Sequence, residues 1–224
     1  MAIDLPTTTG GWPVIYADPP WNFKSNSIEK PGRNARRHYD CMSLSDIAAM
    51  RVAEITAQDA TLFLWITGPM LVIGAHFPIM KAWGFKPSAI GFTWIKLNRK
   101  CEGNLFSHDD IFMGGGFTTR KNAEFCLIGR KGKSMRKSAS VREVIVSPVL
   151  QHSRKPDETR KRIEAYCDGP RLELFARETC DGWASVGNET TKFNESTGGE
   201  QAQPLPAGQH QREGHVNVDG ENII

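Results

Sequence analysis

Cysteine is scarce and poorly spaced for scaffolding, with five residues in a chain of 224. The number is odd and no Cys-x-x-Cys pair occurs. Both facts argue against a disulfide framework and a structural zinc site, and for a reduced, cytoplasmic chain. No basic-then-apolar leader opens the sequence, so no secretory signal is expected. Internal repeats are absent. Neither sign of charge dominates: 28 Lys and Arg stand against 25 Asp and Glu, a net charge of +3. Formal charge is missing from Thr61 to Met80, a run long enough to cross a bilayer. Gly68-Pro69 divides that run, however. "ATLFLWIT" is β-branched and aromatic and reads as a buried strand. "PMLVIGAHFPIMKAWG" opens with Pro and ends at Gly84, so it reads as a helix over 69–83. No membrane span is expected.

What is present suffices for one sizeable domain, at 39% hydrophobic content. The segment Thr190–Ile224 is rich in Gly, Gln and Pro, lacks a period, and reads as a disordered tail. It holds two cations against five anions, a net charge of −3, so residues 1–189 carry +6. A basic folded part suits a polyanionic partner.

Strand patterns are expected at "PVIYA", Ala60–Thr67, "SAIGFTWIK", "AEFCLIGRKG", "REVIVSP", "RLELFA" and "WASVGNE". Helices are expected at "SLSDIAAMRVAEI", with Ser43 as cap, over 69–83, and at "KPDETRKRIEAYC". Alternating strands and helices, with continuous apolar strands, indicate an α/β fold whose sheet is mostly parallel and covered on both faces. Ligands in such sheets bind beyond the carboxyl ends of the strands. Two long polar loops, 22–42 and 98–122, exceed what a compact domain usually keeps without function.

The first strand runs into "DPPW", Asp18–Trp21. These residues suit one kind of chemistry. The lone pair of a planar exocyclic amine, such as adenine N6, is delocalised into the ring. Alkylation requires the nitrogen to become tetrahedral while positive charge builds on it. Two fixed acceptors aimed at its N–H bonds favour that change, and the Asp18 carboxylate and the Pro19 carbonyl would serve. Proline locks φ and offers no competing donor. Trp21 offers a flat face for stacking a base. No nucleophilic side chain or metal is required, because positioning and electrostatics carry the transfer. His108-Asp109-Asp110 has no second ligand cluster at metal spacing, so no metal site is assigned.

"YADPPW…YDCMSL", "LFLWIT", "GFTWIK", "RKNAEFCLIGRKG", "HSRKPDE" and "LELFARETCDGWASVGNE" follow one another over residues 13–189. In this order they resemble the MT-A70 family of S-adenosylmethionine-dependent adenine-N6 methyltransferases. The resemblance implies a Rossmann-like methyltransferase fold of permuted motif order, with the DPPW block ahead of the cofactor block. It implies S-adenosyl-L-methionine as cofactor and nucleic acid as partner, and it leaves homodimerisation open.

Residue by residue, the resemblance implies that Asp18, Pro19, Pro20 and Trp21 form the catalytic turn. It places Asp18, Lys155, Arg177, Thr179, Asn188 and Glu189 on the cofactor side. It places Trp21, Tyr39, Asn122 and Glu124 on the target-base side. Two departures stand out. The eukaryotic RNA-acting members have Pro-His-Asn where Glu178-Thr179-Cys180 follow Arg177, and Gln in place of Glu189. No Cys/His RNA-binding extension is present, and the compact size fits DNA-acting members of prokaryotes and phages. The basic runs Lys30–Arg37 and Arg130–Arg142 are then expected to contact phosphates. The reading is adenine-N6 methylation of DNA. Methylation of RNA, or a non-catalytic nucleic-acid-binding relative, is the alternative.

Overall fold

The computed structural model describes residues 4–22, 41–101, 106–115, 118–134, 136–151 and 153–193. Seven strands form one sheet in the order β5-β3-β4-β2-β1-β6-β7. They are β1 (Trp12–Ala17), β2 (Thr56–Ile66), β3 (Lys86–Leu97), β4 (Ala123–Lys131), β5 (Val144–Pro148), β6 (Arg171–Leu174) and β7 (Trp183–Val186). Six run in one direction. Only β4 is reversed, pairing antiparallel with β2 and β3. Each expected strand is present, so the sheet is mostly parallel as its apolar runs suggest. The reversal of β4 is not visible in its composition, because side-chain alternation is the same in either direction.

The helices are shorter than the sequence suggests. The expected helix over 43–55 is two pieces, α1 (Leu44–Ala49) and α2 (Val52–Ile55). Ser43 caps α1 through its hydroxyl, which accepts the Asp46 N–H at 3.1 Å. The expected helix over 69–83 is likewise split into α3 (Gly68–Val72) and α4 (His76–Ala82). Gly74 lies between them at φ +72°, a left-handed conformation that ends a helix. One longer helix, α5 (Asp157–Tyr166), follows β5.

Alternation along the strands builds two cores. Ile15 and Ala17 of β1, Leu62, Leu64 and Ile66 of β2, and Leu172 and Leu174 of β6 meet Ile47, Val52, Met70, Ile79 and Trp83 from α1–α4 and the turn that follows them. Val14, Tyr16, Phe63, Trp65, Phe92, Trp94 and Cys126 face the other way and meet Ile163 of α5. The sheet is therefore covered on both faces. The burial continues beyond residue 189, since Phe193 is buried and its N–H donates to the Arg177 carbonyl at 3.2 Å. The rest of the tail lies outside the described residues. The five thiols form no disulfide. Among the described residues no helix is long and apolar enough to cross a membrane.

Candidate active site

β1 and β6 are parallel neighbours, with Ala17 opposite Leu174 at their carboxyl ends. Asp18 and Phe175 are the next residues, and both line a cleft there with Tyr16, Ser153, Lys155 and Arg177. The DPPW turn is anchored at several points. The Asp18 N–H points to the Leu174 carbonyl at 3.5 Å, and the Pro20 carbonyl accepts the Met42 N–H at 2.9 Å. The Trp21 indole Nε1–H donates to the Trp65 carbonyl at 3.0 Å. The Pro19 carbonyl accepts the Trp21 N–H at 2.8 Å, which leaves its second lone pair for another donor.

The α5 face of the sheet turns polar at its carboxyl edge. Two residues past Tyr16 stands Asp18, and two past Trp94 stands Lys96. Two before Cys126 stands Glu124. The period of two thus carries all three off the end of one apolar face. Lys155, just ahead of α5, joins them. Lys155 Nζ lies 2.6 Å from Asp18 Oδ2 and 3.4 Å from Glu124 Oε2. Lys96 Nζ lies 2.5 Å from Glu124 Oε1. The result is a row of alternating charge, Asp18–Lys155–Glu124–Lys96, in which no side chain is more than 22% exposed. Two indoles floor it. Lys155 Nζ lies 5.4 Å from the centre of the Trp65 ring and Lys96 Nζ 4.8 Å from that of Trp94. The two rings meet edge to face, 6.5 Å apart.

The electrostatics follow from this order. Burial opposes ionisation of Glu124, but the Lys155 and Lys96 cations overcome it and hold the carboxyl at about 2. Burial likewise opposes the Lys155 charge, yet Asp18 and Glu124 raise its pKa, so it stays an ammonium. Burial, with Asp18 close by, keeps the Cys126 thiol protonated.

A second ionic group walls the cleft. Arg160 of α5 grips Glu173 of β6 through two bonds of 2.8 and 3.0 Å and reaches Glu178 at 2.9 Å. Arg154 also pairs with Glu178, at 3.0 Å, and lies 5.5 Å from the Phe193 ring centre. Burial pushes the Glu173 carboxyl up even against Arg160. The backbone is unusual here too, as Ser153 and Phe175 have φ of +66° and +63°. Such conformations concentrate at ligand sites.

The structure brings together Asp18, Lys155, Arg177 and Glu124. Glu189 approaches Arg177 at 4.0 Å and pairs with Lys192 at 2.6 Å. Thr179, Asn188 and Asn122 are exposed. Tyr39 and the Lys30–Arg37 run lie outside the described residues. Pro19 is buried and Pro20 half-buried. Trp21 differs from the open stacking face expected of it. Its indole is 3% exposed within the α1–α4 core, because its N–H finds the Trp65 carbonyl.

The Arg130–Arg142 run leaves β4 at the edge away from Asp18, Lys131 lying opposite Ala60. Three of its cations bond internally: Arg130 to the Tyr166 hydroxyl, Lys131 to the Thr56 carbonyl and Lys137 to Asp168. His108–Asp110 forms an exposed 3₁₀ turn in which Asp110 accepts the Ser107 N–H. Lys96, Arg154, Arg160, Glu173 and Phe193 were not singled out from sequence. Trp94-x-Lys96 and Glu124-x-Cys126 held the signal for part of this set, a charge continuing an apolar alternation.

The profile of the MT-A70 family matches residues 12–189. The type II methyltransferase M.MunI of Mycoplasma sp is 29% identical over 197 residues, which cover 79% of this chain and 76% of that protein. A putative N(6)-adenosine-methyltransferase MT-A70-like protein of Medicago truncatula is 32% identical over 80% of this chain and 26% of its own length. The N(6)-adenosine-methyltransferase catalytic subunit METTL3 of Homo sapiens is 28% identical, over 80% of this chain and 28% of its length. The chain thus spans about a quarter of these plant and human relatives.

Proposed function

The chain belongs to the MT-A70 family of S-adenosylmethionine-dependent adenine-N6 methyltransferases, and from that premise we propose that it methylates adenine in DNA. Its Rossmann-like sheet carries the DPPW turn and the cofactor block on adjacent strands. The observation that carries the reading is the Asp18–Lys155 pair at the mouth of the cleft between β1 and β6. The DNA reading draws on the likeness to the type II methyltransferase M.MunI, and the likeness to N(6)-adenosine-methyltransferases carries RNA as the second reading. For location the reading keeps the cytoplasm, on the strength of the odd cysteine count.

The cleft suits S-adenosylmethionine in its donor set. Asp18 offers an anion, Lys155 and Arg177 offer cations for a carboxylate, and Phe175 offers an aromatic face. When bound, the cofactor supplies an electrophilic methyl group on a sulfonium. Lys155 has three N–H donors. Two serve Asp18 and Glu124, and the third is left for the cofactor carboxylate. Asp18 Oδ2 is held by Lys155, so Oδ1 and the Pro19 carbonyl are the acceptors for the two N–H bonds of the target amine. They draw the nitrogen out of conjugation and stabilise the charge that builds on it. A base inside a duplex would have to be flipped to reach them. Trp21 holds the turn against the Trp65 strand, and so sets where those acceptors point.

The test is transfer of labelled methyl from S-adenosylmethionine to mixed-sequence duplex DNA, single-stranded DNA and RNA. The expected product is N6-methyladenine in DNA. Asp18→Asn should lower transfer by about 10²–10³-fold, with binding of S-adenosylhomocysteine changed far less. Label on RNA alone would replace the DNA reading, and an active Asp18→Asn variant would remove Asp18 from the chemistry.

A further inference from the structure

Lys155 is shared by two carboxylates at unequal distance, 2.6 Å from Asp18 and 3.4 Å from Glu124. An ammonium between two anions sits closer to the one that is less well compensated. Glu124 is compensated from the far side, because Lys96 Nζ lies 2.5 Å from its other oxygen. Asp18 has Lys155 as its ion-pair partner among the described residues. The asymmetry in the middle of the row therefore tracks the charge at its end.

Lys96 is well placed to hold this position. It stands in β3 opposite Asn122, just ahead of β4, and its own backbone is fixed on both sides. Its N–H donates to the Asn122 carbonyl at 2.9 Å, and its carbonyl accepts the Phe112 N–H at 2.8 Å. Its Nζ lies over the Trp94 ring, which favours a cation and limits where the side chain can settle. Unlike Asp18 and Lys155, Lys96 does not line the cleft.

We propose that Lys96 is a positioning residue for methyl transfer: by occupying Glu124 it leaves Lys155 on Asp18, and so fixes the carboxylate that receives the target amine. The proposal rests on the assignment of Asp18 to that amine. Removing the Lys96 charge leaves Glu124 with Lys155 as its one cation. Lys155 is then drawn toward Glu124, and Asp18 loses the contact that holds Oδ2. Glu124 faces Lys96 from β3, Lys155 from the segment before α5 and, across Lys155, Asp18 from the turn after β1. With Lys96 neutral, Glu124 gives up part of the compensation that keeps it ionised in acid.

The experiment compares wild type, Lys96→Met, Lys96→Gln and Lys96→Arg in methyl transfer across pH 3 to 9, on whichever nucleic acid the wild type labels. Binding of S-adenosylhomocysteine and thermal unfolding are measured alongside. Met keeps the length and the contact with Trp94, and Gln serves if Met perturbs folding. The expected result is a fall in kcat of about tenfold for Met and Gln, with cofactor affinity within about twofold of wild type, effects of the size usual for a supporting residue. The acid limb of the pH profile should move upward in both variants, and Arg should restore the wild-type profile. Unchanged kcat and acid limb in Lys96→Met would overturn the proposal. So would equal losses in Met, Gln and Arg with an unmoved pH profile, which would mark a structural residue. A wild type that labels nothing would instead count against the methyltransferase reading itself.

Discussion

The Trp21 indole donates its N–H to the main-chain carbonyl of Trp65 at 3.0 Å, across 44 residues of sequence. This bond joins the turn after β1 to the carboxyl end of β2, and it is buried. Trp21→Phe keeps much of the ring but leaves that carbonyl without its donor. It should cost about 1–3 kcal/mol in urea unfolding. Trp21→Ala also opens a cavity and should cost about 3–5 kcal/mol. Both variants should lose methyl transfer through a displaced turn, with kcat affected more than KM. A Trp21→Phe protein of unchanged stability and raised KM would show that the ring acts as a stacking surface instead.

Glu124 links the site to acid stability. Its folded carboxyl is held at about 2 against an ordinary value of 4.5. A depressed carboxylate stabilises the fold at pH values above its unfolded pKa, and that stabilisation is lost as pH falls toward the folded pKa. The shift corresponds to at most about 3 kcal/mol, counted once for Glu124 and its lysines together. Wild type should therefore lose urea resistance between about pH 5 and pH 2, where Glu124→Gln should lose less. Parallel curves for the two proteins would show that Glu124 contributes nothing to this fall.

Arg160 neutralises two acids that the fold has taken out of water, Glu173 and Glu178. Arg160→Met leaves the Glu173 carboxylate in a site where it is 8% exposed. Breaking one side of such a pair should cost about 3–5 kcal/mol. The double variant Arg160→Met, Glu173→Gln should recover part of that loss, since no charge then remains at position 173. Chemical denaturation of the two variants checks this, and equal losses would contradict it.

Gly187 lies tight against the chain that follows β6. A Cβ there would fall 2.2 Å from the Ala176 carbonyl oxygen and 2.8 Å from its nitrogen. Both are backbone atoms, so the chain at 175–177 would have to move. Gly187→Ala should cost about 1–3 kcal/mol by overpacking. It should also weaken S-adenosylhomocysteine binding in calorimetry, because Phe175 and Arg177 line the cleft. Unaltered binding would separate that segment from the cofactor.

The strands were legible because each is an apolar run closed by turn residues, and the family because its blocks stand in order along the chain. The row of charges was not legible as a row. Its members lie 28 and 137 residues apart, and only the sheet brings them together. Glu124 and Lys155 were recognised singly, while Lys96 looked like the polar end of a strand. Sequence shows that Trp21 carries a flat ring but not which way the ring turns, so its burial is visible only in the fold. The break at Gly74 was equally hidden, since Pro69 and Gly84 frame one plausible helix and the left-handed residue lies inside it.

The reversed strand has one more consequence. Because β4 runs against β3, the chain leaves the sheet after Leu97 and re-enters it at Ala123 on the same side. The two ends of the excursion lie at one edge of the sheet, held together by the Lys96–Glu124 ion pair. It is in effect a cartridge with a clasp. Because both anchor points belong to the sheet, the segment between them can change in length without altering the strand order that holds Asp18 and Lys155 in place.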